Sequence, residues 1–130
     1  IMSGFGAVLR VSGSRNMVKG FLAKTKWQPL AVFWKGEKRS AYSKSVSKIN
    51  GFNVSISEGV GLTEQVKGVL GALRGDAPEF RRMNRFKLQA VIDFGVEADG
   101  KGGPEFFRFP PELLQLLAKH GLSLELSYYG

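Results

Sequence analysis

Apolar residues at Phe5, Ala7, Leu9 and Val11 alternate with Gly6, Val8 and Arg10, the period of a half-buried strand. Ser12-Gly13-Ser14 ends that run, and Ser14 can cap a short helix carrying Met17, Val18, Phe21 and Leu22. Pro29 forbids continuation, so this helix ends by about Lys26. Leu30 to Trp34 is apolar on both faces, which predicts an interior strand. Residues 38–48 are polar and basic and predict a loop or ragged edge strand, and Asn50-Gly51 predicts a turn. Phe52, Val54 and Ile56 then alternate with Asn53, Ser55 and Ser57.

Leu62, Val66, Val69, Leu70 and Leu73 recur at helical spacing, with Thr63 as the expected N-cap and Gly75 as the stop. Asp76 and Glu79 have the spacing of a capping box, which predicts a second short helix to about Asn84. Phe86, Leu88, Ala90, Ile92 and Phe94 form one face of a long predicted strand. A glycine-rich loop, Gly95 to Gly103, follows it, then a short predicted strand over Glu105 to Phe109. Pro110-Pro111 opens a leucine-rich helix that Gly121 ends. In the last strand Leu122, Leu124, Leu126 and Tyr128 share one face. Strands with one apolar face need helices to cover it. The pattern therefore predicts one α+β domain over residues 1–130, with a mainly antiparallel or mixed sheet and its helices packed on one face.

Charge changes the picture. Residues 1–50 carry ten Lys/Arg against one acid, Glu37; residues 51–130 carry nine against ten. The net charge of +8 thus belongs to the first part of the chain, which points to an acidic or polyanionic partner for that region. Absence of cysteine excludes disulfides, thiol catalysis and thiolate metal sites. No apolar run is long enough to span a bilayer, so no membrane partner is expected. Ile1-Met2-Ser3-Gly4 lacks the features of a signal peptide; Met2 is the expected start, and a cytoplasmic location is expected.

Catalytic motifs are missing where they would be needed. Gly95 to Gly102 nearly spells a phosphate loop, but Gly102 stands where a magnesium-binding hydroxyl belongs, and Glu97 and Asp99 would repel phosphate. A hairpin loop is the better reading. His120 is the only histidine, which leaves no Ser-His-Asp set; as a cation in the last helical turn it would complement the helix dipole. Glu97 and Asp99 offer too few ligands for a calcium loop. No enzymatic activity and no cofactor are expected.

The strongest functional lead is basic and aromatic. Lys24, Lys26, Lys35, Lys38, Arg39, Lys44 and Lys48 interleave with Trp27, Phe33, Trp34 and Tyr42. Lysines neutralise phosphates and aromatic rings stack on bases, so the segment is a candidate nucleic-acid surface. A core aromatic pair with a solvated charged rim is the competing reading. Arg81, Arg82 and Arg85 form a second cluster; Arg81 and Arg85 share a helical face able to grip an acidic partner. The candidate partner-binding residues are therefore Lys24, Lys26, Trp27, Lys35, Lys38, Arg39, Tyr42, Lys44, Lys48, Arg81 and Arg85.

The ending from Phe109-Pro-Pro-Glu-Leu-Leu through His120-Gly-Leu to Tyr129, with Trp34-Lys35-Gly36 and the helix Leu62 to Leu73, resembles a family of small bacterial domains of unknown function. Related small α+β proteins serve as immunity proteins beside secreted toxins. The resemblance thus implies a stoichiometric, non-enzymatic protein-binding domain, and the basic charge argues against a basic nuclease as its partner. A nucleic-acid-binding module built on residues 24–48 is the alternative.

Overall fold

A computed structural model describes residues 5–130; the expected start at Met2 lies outside them. Five strands form one mixed sheet in the order β2-β3-β1-β4-β5. They are β1 (Gly6–Gly13), β2 (Ala31–Phe33), β3 (Asn50–Glu58), β4 (Gln89–Glu97) and β5 (Ser123–Tyr129). β1 pairs antiparallel with β3 and β4, and β2 pairs antiparallel with β3. β5 runs parallel to β4, so the chain must cross over between them, and it does so through α4 (Pro111–Lys119). The other helices are α1 (Arg15–Leu22), α2 (Leu62–Gly75) and α3 (Ala77–Arg85). The expected α+β architecture is what the chain adopts.

The alternating apolar positions explain why the helices lie on one face. Leu9, Val11, Phe52, Val54, Ala90, Ile92 and Phe94 point into a core shared with Val18 and Phe21 of α1, Val69 and Leu73 of α2, Phe80 and Met83 of α3, and Leu113 and Leu117 of α4. Phe21 stacks on Phe52 with centroids 5.5 Å apart. Each such fully buried side chain stabilises the fold by about 1.5–3 kcal/mol relative to exposure. Among the described residues no helix is long and apolar enough to cross a membrane.

Several local expectations are corrected. Leu30 to Trp34 is not an interior strand: β2 is three residues long and lies at the sheet edge, with Leu30 and Val32 exposed. Only the two aromatic residues of this run are covered, and by side chains rather than strands: Arg39 lies over Phe33, while Arg15 and Lys19 lie over Trp34. Asn50-Gly51 is no turn but the start of β3. A Cβ on Gly51 would sit 2.1 Å from the Val11 carbonyl oxygen, so glycine permits a close strand approach there.

A bulge opposite Ala7 and Val8 inserts an extra residue in β3, so Ser57 leaves the polar face and meets α2 at Gly68. Ser14 caps α1 as expected, accepting from the Met17 amide. Thr63 does not cap α2, which starts at Leu62 behind Gly61 and includes Gly75. The Asp76/Glu79 capping box is absent, because both carboxylates are engaged by distant residues. Lys87, with φ of 55°, reverses the chain after α3, so the long strand starts at Gln89 rather than Phe86. Glu105 to Phe109 is irregular; Phe107 packs on Tyr128 and Phe109 on Phe94.

Candidate functional site

The eleven candidate residues separate into two groups. Lys35, Lys38, Arg39, Tyr42, Lys44 and Lys48 all lie on the connection from β2 to β3. Its base is tied down in several ways. The Glu37 amide donates to the Trp34 carbonyl across a turn that Gly36 closes at φ of 86°. The Gly36 amide donates to the Ser47 carbonyl at 2.9 Å, and the Ser47 amide to the Glu37 carbonyl at 2.8 Å. Lys38 and Val46 pair as an isolated bridge, and the Lys35 amide donates to Asn50 Oδ1. The segment therefore projects as a pinned arm.

At the tip of this arm the Ser43 amide donates to the Ser40 carbonyl, and the side chain of Tyr42 is 95% exposed. Lys35, Lys38, Arg39, Lys44 and Lys48 are exposed, and none has an ion-pair partner among the described residues. The arm's only acid, Glu37, is engaged by Arg15 at 3.3 Å. What remains is a cationic surface with one solvent-facing phenol.

The second group lies on the helix side. Trp27 is half-buried between Phe21 and Phe80, and its indole N–H donates to Asp76 Oδ2 at 3.3 Å. Lys26 reaches Asp76 Oδ1 at 2.8 Å, and that hydrogen bond, then the carboxylate's charge, raises its pKa above the ordinary value. Trp27 and Lys26 thus anchor the α1–β2 connection to the start of α3. Lys24 meets Arg82, Arg85 and Phe86 around a shallow cleft of about 270 Å³. Arg82 is tied to the nearly buried Glu79 at 2.8 Å. Arg81 is exposed on the same helix.

His120 is not the expected cation at a helix end. It is buried against Phe80, and desolvation, then repulsion from Lys119 and Arg81, lowers its pKa, leaving the ring neutral at pH 7.

The helix-free face of the sheet holds a constellation that sequence reading did not single out. Asp93 of β4 is only 4% exposed, and its carboxylate accepts from Arg10 Nε at 3.2 Å, from Arg10 Nη2 at 2.7 Å and from Ser127 Oγ at 2.7 Å. β1, β4 and β5 each supply one member: Arg10 and Asp93 are 83 residues apart in sequence, and Ser127 lies 34 beyond Asp93. The available signal was Asp93 itself, a lone acid within the apolar run Ala90 to Phe94. Beside the trio, Phe33 lies over Gly51 with the Arg39 guanidinium 4.4 Å from its ring centroid. Of these groups, Arg10, Phe33 and Arg39 line a groove of about 550 Å³.

A pinned cationic arm beside a polar sheet face, on an α+β scaffold with its helices on the other side, defines a small surface-presenting domain. The chain belongs to the DUF4279 family, a domain of unknown function whose pattern matches residues 3–130. No curated protein and no solved structure matches it.

Proposed function

We propose that this domain is a non-catalytic binding module whose β2–β3 arm engages an acidic surface on a protein partner. The observation that carries the reading is five exposed cations on one pinned segment, none with an ion-pair partner among the described residues, with Tyr42 at its tip. Opposite charge would speed encounter, while Tyr42 and Arg39 are the residue types that concentrate affinity at interface centres. The base hydrogen bonds reduce the ordering cost of docking the arm. Stoichiometric neutralisation of a toxin, as an immunity protein in the cytoplasm, is the specific role we assign to such a module. The acidic surface then belongs to the toxin.

The same lysines around an exposed aromatic ring also suit single-stranded nucleic acid, which makes that the second reading. Fluorescence anisotropy separates the two. Mixed-sequence RNA and DNA and a glutamate-rich peptide are titrated at about 50 and 200 mM salt, the range over which phosphate-driven binding collapses. A protein-directed arm binds the peptide and loses its nucleic-acid signal at the higher salt. Tight RNA or DNA binding that survives it would overturn the first reading.

A further inference from the structure

The groove on the helix-free face is lined by Arg10, Arg39, Phe33, Ile49, Asn53 and Gln89, among others, and no Asp or Glu lines it. Arg10 spends Nε and Nη2 on Asp93, which fixes the guanidinium plane and leaves Nη1 without a partner among the described residues. Arg39 lies over the Phe33 ring, 4.4 Å from its centroid, and has no ion pair among them. The side-chain amides of Asn53 and Gln89 likewise make no hydrogen bond there. Polar donors therefore converge on a space whose volume falls in the range of about 300–1,000 Å³ usual for small-ligand sites.

Charge sets the kind of ligand. Two guanidinium groups face the groove, and one buried carboxylate, Asp93, lies beneath it. The surplus is a single positive charge, which matches a monoanion; a dianion would be driven against Asp93. The exposed Ile49 and the ring of Phe33 add an apolar wall beside Arg39. We propose that this groove binds a small organic monoanion, a carboxylate on a flat apolar body, with its head between Arg10 and Arg39 and its body against Phe33 and Ile49. The site shares Arg39 with the arm but does not depend on the arm's docking a protein.

The test is an amide chemical-shift titration of the whole chain with sodium benzoate, alongside acetate, phenyl phosphate and a short Glu-Phe peptide. Benzoate shifts the amides of Arg10, Asn53 and Gln89 saturably, and acetate binds roughly tenfold more weakly because it lacks the apolar body. Arg39→Gln weakens benzoate by roughly tenfold, the scale of one charge-assisted contact, with an unchanged urea midpoint. Ile49→Asp abolishes binding. Absence of saturable shifts on this face, equal affinity for acetate, tighter binding of phenyl phosphate, or indifference to Arg39→Gln would each overturn the proposal. Tighter binding of the peptide than of benzoate would also overturn it, assigning the groove to a protein partner.

Discussion

Replacing Arg10 by Met tests the account of the helix-free face most sharply. The two partners of this ion pair are unequally buried: the Arg10 side chain is 48% exposed, that of Asp93 only 4%. Losing either one therefore has a different consequence. In Arg10→Met the carboxylate keeps only the Ser127 hydroxyl, a single proton for a buried charge. Breaking a fully buried pair costs about 3–5 kcal/mol, and water reaching the exposed side of this one reduces the expectation to about 2–3 kcal/mol. In Asp93→Asn the guanidinium returns to water and the amide oxygen still accepts from Ser127, so the cost is about 1 kcal/mol. Combining the two changes relieves the stranded charge, so the double variant is more stable than Arg10→Met alone. Urea unfolding reads this directly; at a slope of about 1–3 kcal/mol/M, Arg10→Met lowers the midpoint by about 0.7–3 M. Equal losses for the two single variants, or a larger loss for Asp93→Asn, would refute the reasoning.

Other perturbations follow from the same geometry. Gly68→Ala places a Cβ 2.0 Å from Ser57 Oγ and destabilises by about 1–3 kcal/mol in the same urea assay, with Ser57→Gly restoring much of it. Burial holds His120 below its ordinary value of 6.5, so the unfolded chain takes up this proton first as the pH falls. The neutral ring's stability is complete above about pH 6.5 and declines below it; unfolding midpoints at pH 7.5 and 5.0 should differ less in His120→Phe. The Tyr128 phenol is pushed up to about 12 by its hydrogen bond to Glu105, then by desolvation. An absorbance titration should therefore show Tyr128 ionising late, and Glu105→Gln should bring it down.

Periodicity made most of the fold legible. The alternation in β1 and the leucine spacing of α4 located both elements, because each has one face in the core and one in water. β2 was misplaced because Phe33 is covered by Arg39, and Trp34 just beyond the strand by Arg15 and Lys19, while Val32 stays exposed; a pattern along the chain cannot register such side-chain cover. Asp76 and Glu79 failed as helix caps because Lys26, Trp27 and Thr25 engage them from far along the sequence. Of the basic segment, composition alone could not say that Trp27 braces the core while Tyr42 stands in solvent. The Arg10–Asp93–Ser127 trio was hidden for the same reason: three strands bring together residues whose spacing carries no motif.

The proposed protein-binding role rests on the arm, and one measurement addresses it directly. The tagged chain and its Lys38→Glu/Arg39→Glu/Lys44→Glu variant are expressed in the organism's own cells, and the complexes are weighed by native mass spectrometry. The account predicts a partner bound in fixed stoichiometry to the unaltered chain and absent from the variant, with both chains equally folded. A chain recovered alone, or a partner retained by the charge-reversed variant, would contradict it.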